Sequence, residues 1–138
     1  AKAVRGMGVT SVAGVGADDG LFAPTLDIPG RSASDNPYDA PVTALAANFN
    51  TLNIKVKAGT VTSAEPQTPL TPTARRLGQA LGSGTQRINL KDKGLGARYF
   101  AEVLTAKLET AGVKVTAEPR VGLLGAARQA LRLIPARS

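Results

Sequence analysis

Thr51-Leu52-Asn53-Ile54-Lys55-Val56-Lys57-Ala58 is the stretch on which the fold turns. Leu52, Ile54 and Val56 alternate with Thr51, Asn53, Lys55 and Lys57. That two-residue period gives a strand one apolar and one wetted face. The reading predicts a strand from Asn48 or Phe49 to Ala58, in a sheet covered on one side only. Downstream, Gly59 to Leu70 carries Pro66 and Pro69 and reads as a linker. Thr71-Pro72 then has the form of a helix start, threonine as N-cap and proline in the first turn, with Ala74, Leu77 and Leu81 on one side and Gly82 as terminator.

Thr85 to Leu90 predicts a short strand with Ile88 and Leu90 inward and Arg87 and Asn89 outward. Leu95 to Ala111 is the longest amphipathic segment, its apolar stripe formed by Phe100, Val103, Leu104, Leu108 and Ala111, and Gly112 ends it. Val113 to Thr116 returns as a strand, which predicts a strand-helix-strand unit with a right-handed crossover. Upstream, Ala1 to Gly6 reads as a final helical turn stopped by Gly6 or Gly8, and Val9 to Val15 as a strand before the turn residues Asp18-Asp19-Gly20. Leu21 to Ser34 reads as an ordered surface loop, and Leu123 to Ile134 as a last helix stopped by Pro135. The expectation is a single mixed α/β domain of the α+β kind spanning residues 1–138, helices packed on one sheet.

Composition removes whole classes of chemistry. The chain has neither Cys nor His, so it holds no thiolate nucleophile, no imidazole base and no Cys or His metal ligand. Asp18-Asp19 has no further carboxylate nearby in sequence to complete an oxygen shell and reads as a turn, so no metal is expected. Gly82-Ser83-Gly84 and Gly94-Leu95-Gly96 lack the Gly-Lys-Ser/Thr continuation of a phosphate loop, and no cofactor is expected. No apolar run approaches the ~20 residues of a membrane helix, so no transmembrane segment is expected. The first residue is not Met, which suggests a processed product or a segment of something longer.

Charge is uneven. Residues 1–74 hold five basic and six acidic side chains, and residues 75–138 hold twelve basic and four acidic. A basic second half raises the local concentration of anionic partners such as an acidic cell-wall polymer. Nucleic acid is disfavoured, because Tyr99 and Phe100 are the only aromatics in that half and Phe100 belongs to the apolar stripe.

Three blocks carry a resemblance. They are Met7-Gly8-Val9 through Gly14 to Asp18-Asp19 and Phe22; Tyr38-Asp39-Ala40-Pro41 with Ala44-Leu45 and Asn48-Phe49-Asn50; and Tyr99 to Val113. Together they resemble the periplasmic D-alanyl-D-alanine carboxypeptidases of the low-molecular-mass penicillin-binding proteins, the branch that is also an endopeptidase. The resemblance implies part of a penicillin-binding-protein fold, action on peptidoglycan stem peptides and a place in the periplasm or cell envelope. It implies no catalytic residue here, because the family's nucleophile lies in Ser-x-x-Lys and no serine of this chain is followed by lysine three residues on. Ser34-Asp35-Asn36 spells the family's second motif and Lys57-Ala58-Gly59-Thr60 is similar to its third, Lys-Thr-Gly. Ser34, Asn36 and Lys57 are therefore the substrate-binding candidates. Against them stand a turn at Asp-Asn-Pro and a strand ending at Gly59. The expectation is a catalytically silent segment of such an enzyme. The alternative is a non-catalytic basic scaffold for an anionic polymer.

Overall fold

A computed structural model describes residues 1–21 and 28–122. The helix expected at Leu123 to Ile134 and part of the loop expected at Leu21 to Ser34 lie outside the described residues. The architecture is mixed α and β. In chain order the elements are α1 (Lys2–Gly6), β1 (Ser11–Val12), β2 (Gly16–Ala17), β3 (Thr51–Lys57), β4 (Thr60–Ser63), α2 (Pro72–Gly78), β5 (Gly84–Asn89), α3 (Lys93–Thr110), β6 (Lys114–Val115) and β7 (Arg120–Val121).

From Leu52 on the alternating run behaves as expected, with Leu52, Ile54 and Val56 buried and Lys55 and Lys57 exposed. Thr51, expected on the wetted face, is buried, and the strand expected to start at Asn48 or Phe49 starts at Thr51, because Asn48 to Asn50 form a 3₁₀ turn with positive φ. β3 is the central strand of an antiparallel sheet ordered β4-β3-β5. The linker expected after Gly59 is instead half of a hairpin. Lys57 pairs with Thr60 across the two-residue loop Ala58-Gly59, and both loop residues have positive φ, 49° and 74°. That loop twists in the sense of the flanking strands. The prolines at 66 and 69 obscured the signal, yet both lie beyond the end of β4.

α2 lies on this sheet with its backbone almost touching it. A Cβ at Gly78 would stand 2.5 Å from a Val61 methyl and 3.1 Å from Ile54 Cγ2. The predicted cap is present, with Thr71 Oγ1 accepting from the Ala74 N–H at 3.2 Å. The helix was expected to reach Leu81 but ends at Gly78, because Ala80 and Leu81 turn to tighter bonds onto Leu77 and Gly78. α3 begins two residues earlier than its apolar stripe suggests, capped by Asp92 Oδ1, which accepts from Gly94 and Leu95. It closes in a Schellman pair: Val113 donates to Leu108 O and Gly112, at φ +89°, donates to Glu109 O.

The strand-helix-strand unit did not form a crossover. β5 pairs with β3 in one sheet and β6 with β1 in another, so α3 bridges sheets. Val9 to Val15 likewise is not one strand of the main sheet. Its pairing is parallel to the chain after α3, Ser11 with Lys114 and Val12 with Val115, then Gly16 with Arg120 and Ala17 with Val121. One extra residue has entered the second strand between the two pairs, near Pro119, which has no N–H to give to a ladder.

The apolar interior joins Leu52, Ile54, Val56, Val61, Ala74, Leu90 and Tyr99, with Leu77, Ile88 and Val103 packed around them. The inward aromatic of α3 is Tyr99, 1% exposed, and not Phe100. Phe100, Val103 and Leu104 line an open groove with Ala3 and Ala47, because α3 turns Ala97, Ala101 and Glu102 inward between the two sheet systems. Glu102 is 4% exposed and receives the Thr73 N–H and hydroxyl, both at 3.0 Å, at the start of α2. A carboxylate at a helix start meets unpaired N–H groups and the positive end of the dipole. This bond pair ties the two helices together.

Candidate functional site

The tract that carries the resemblance is irregular backbone, and three buried polar side chains organise it. Asn36-Pro37 opens a 3₁₀ turn at Pro37–Asp39, with Pro37 supplying the fixed φ. This turn carries the Asp39 side chain inward, leaving the residue 4% exposed, and Tyr38 outward. The Asp39 carboxylate accepts the Ser34 hydroxyl on Oδ2, the Ser32 hydroxyl on the same oxygen at 2.7 Å, and the Ser32 N–H on Oδ1 at 2.8 Å. The Ser34 hydroxyl first, then the Ser32 N–H and hydroxyl, hold the carboxyl below its usual range, with a smaller pull from the Arg31 charge; burial opposes them. A carboxylate so satisfied is a poor proton acceptor.

Asn89, at the end of β5, fastens this loop to the sheet. Its N–H donates to Asp35 Oδ1 at 3.1 Å, and its side-chain amide donates to the carbonyls of Ser34 at 3.1 Å and Asn36 at 2.6 Å. Expected to point outward, Asn89 is 6% exposed, because the loop closes over that end of the sheet's polar face. Lys91 adds a surface ion pair to Asp35 at 3.4 Å.

Asn50 does the same for the next segment. Its amide donates to Pro41 O at 2.9 Å and Thr43 Oγ1 at 2.7 Å, and the Thr43 hydroxyl donates onward to Leu45 O. Leu45 in turn donates its N–H to Asp19 Oδ1 at 3.0 Å, linking the acidic turn to the tract. Asp18 makes the turn itself, accepting from the Gly20 N–H. Space for Asn50 exists because α3 has glycine at 96, where a Cβ would come within 2.9 Å of Asn50 Oδ1. Asn48, Phe49 and Asn50 all have positive φ, 50°, 56° and 56°. Asparagine tolerates this region, whereas a bulky residue pays about 1–2 kcal/mol for it. Phe49 is held there 86% exposed, and with Tyr38, 76% exposed, it lines a hollow of about 280 Å³ walled by Ile28, Pro37, Pro41 and Val42. Behind it, the Asn48 amide donates to the Tyr99 hydroxyl at 3.3 Å, and burial pushes that phenol's pKa up.

Ser34 and Asn36 are brought together, but as parts of a turn: Ser34 Oγ accepts the Asn36 N–H at 3.0 Å while donating to Asp39. Lys57 is elsewhere. Asn89, which grips the Ser34 and Asn36 carbonyls, pairs with Thr51, and Lys57 is at the far end of the same strand. Six residues at about 3.3 Å each separate those ends by roughly 20 Å. Sequence reasoning passed over Asp39, Asn89 and Glu102 as functional positions. The only signal for Asp39 was its place between Tyr38 and Ala40-Pro41.

Among the described residues no group of three or more acidic side chains gathers as a metal site, and no helix is long and apolar enough to cross a membrane. Compared with known proteins, the chain matches no family model, no curated protein and no solved structure.

Proposed function

We propose that this chain is a scaffold segment of a serine D-alanyl-D-alanine carboxypeptidase-like protein that acts on peptidoglycan in the periplasm or cell envelope, and that alone it is catalytically silent. The observation that supports this reading is the treatment of the resembling tract. Tyr38-Asp39-Ala40-Pro41 and Asn48-Phe49-Asn50 supply two of the three buried polar anchors, and a strained, outward-facing phenylalanine besides. The state of the Ser32 and Ser34 hydroxyls supports the silence. Acylation by a β-lactam needs a serine whose proton is taken by a nearby base. Ser34 and Ser32 both donate to Asp39, whose carboxylate is held in its ionised, weakly basic form, and no lysine follows any serine at the family's spacing.

Incubation with a fluorescent penicillin followed by intact-mass measurement tests the claim. No covalent adduct is expected, and a stoichiometric adduct on any side chain overturns the silence. The family reading has its own test in the coding sequence upstream of Ala1. A Ser-x-x-Lys is expected there, and a reading frame without one sinks the assignment.

A further inference from the structure

We propose that the outer face of the β4-β3-β5 sheet is a docking surface for a linear polyanion that carries no bases, with polyphosphate as its probe. The pairing register makes the face explicit. Opposite the buried set Leu52, Ile54 and Val56, the outward residues are Asn53, Lys55 and Lys57 on β3; Arg87 stands opposite Asn53, Thr85 and Thr62 opposite Lys55, and Thr60 opposite Lys57. Side chains two apart on a strand are separated by roughly 7 Å. Lys57, Lys55 and Arg87 therefore form a row of three cations at near-regular steps, flanked by the exposed hydroxyls of Thr60 and Thr85.

Other cations of the molecule are engaged. Lys91 is paired with Asp35 and Arg98 with Glu102, while Lys107 donates to Gln67 O. Lys55, Lys57 and Arg87 have no acidic partner among the described residues. Glu65, which reaches this face at the Asn53 end, is held by the Asn53 amide and the Thr68 hydroxyl, so its charge weakens the field beside Arg87 and leaves it strongest towards Lys57. A row of like charges fixed on a rigid sheet favours a partner with repeated negative charge.

The neighbours of the row narrow the occupant. No aromatic side chain lies among the outward residues of β3, β4 and β5, so there is no platform on which bases could stack. No large aliphatic side chain stands among them either, so the face has nothing to insert into a lipid layer. What remains is recognition of repeated negative charge, without bases or lipid tails, by ammonium, guanidinium and hydroxyl groups. This surface lies on the opposite side of β3 from the apolar core, and its use does not depend on the peptidase reading.

The test is titration of the intact chain with inorganic polyphosphate at several salt concentrations. Binding is expected, with a log–log salt slope of roughly −2 to −3 for about three displaced counterions. The combined variant Lys55→Gln, Lys57→Gln and Arg87→Gln should lose at least tenfold in affinity and flatten the slope. Arg75→Gln with Arg76→Gln, on exposed positions of α2, should leave both nearly unchanged; circular dichroism checks that each variant remains folded. Absence of binding at low salt overturns the proposal, as does equal binding by the triple variant. Tighter binding to oligo-dT or to phosphatidylglycerol vesicles than to polyphosphate overturns the assigned occupant.

Discussion

Between Thr51 and Leu90 the interior is held by excluded water and fitted shape, whereas between Arg31 and Asn50 it is held by hydrogen bonds to Asp39, Asn50 and Asn89. The first region loses stability when volume is removed, at any pH. The second buries little apolar side chain, Ala40 and Pro41 with Leu45 and Ala47 packed at its edges, and depends more on each donor meeting its acceptor. A loop without periodic structure must satisfy its backbone somehow, and here side-chain amides and a carboxylate replace the ladder. The contrast also separates scaffold from surface: Tyr38 and Phe49 are presented by the polar region, while Tyr99, which α3 packs into the apolar region, is 1% exposed.

The sharpest way to break this contrast is a matched pair of truncations. Ile54, 1% exposed and touching both α2 and the strand pair, should cost about 3–5 kcal/mol as Ile54→Ala, through lost transfer energy and the cavity left behind. Asn50→Ala should cost about 2–3 kcal/mol. It strands the Pro41 carbonyl and the Thr43 hydroxyl and places alanine at positive φ. Urea unfolding of both variants checks the order. An Asn50→Ala loss below about 0.5 kcal/mol would mean that the loop is held by something other than its polar anchors.

The same division explains what was readable beforehand. β3, the caps at Thr71 and Gly112 and the burial of Leu52, Ile54 and Val56 follow from local period and local turn chemistry, which a sequence displays directly. The β1–β6 and β2–β7 ladders join residues about a hundred positions apart, and their two-residue strands carry no period at all. Asn89 was assigned outward by alternation alone. The alternation is real, but a loop more than fifty residues earlier covers that end of the face, and nothing local to Asn89 announces it. Ser34-Asp35-Asn36 was legible as a turn from Asp-Asn-Pro, and its hydroxyl is indeed committed to the turn. The carboxylate that organises it, Asp39, has no pattern of its own.

Acid is a second way to tell the regions apart, smaller in effect than truncation. Asp39 has its folded pKa below the ordinary value of 3.8. In that window the unfolded chain binds more protons than the folded one, so its contribution is complete above about pH 4 and declines as pH falls through the folded pKa. Asp39→Asn removes the titrating group. Its urea midpoint should lie below that of the parent chain at pH 7, and the gap should shrink as pH is lowered from 4 towards 2. Ile54→Ala provides the contrast, since its gap from the parent should stay constant over the same range. Parallel curves for Asp39→Asn and the parent would show that the carboxylate's hydrogen bonds carry no linkage.

The smallest expected effect sits in the apolar region's one local flaw. The β3–β4 hairpin needs left-handed backbone at both loop positions; Gly59 adopts it freely at φ 74°, but Ala58 is held at φ 49° with a Cβ that opposes it. Asparagine enters this conformation more readily than alanine, and Asn-Gly is the favoured pair for such a loop. Ala58→Asn should therefore stabilise the chain by about 0.5–1 kcal/mol, seen as a higher urea midpoint with an unchanged slope. The residue is exposed, so no compensating loss of packing is expected. The same relief should also add to Ile54→Ala, because it acts on the turn and not on the packing beneath it. A destabilising or neutral Ala58→Asn would mean that the hairpin's register is fixed by the pairs Val56–Val61 and Ile54–Ser63 alone, with the turn merely following.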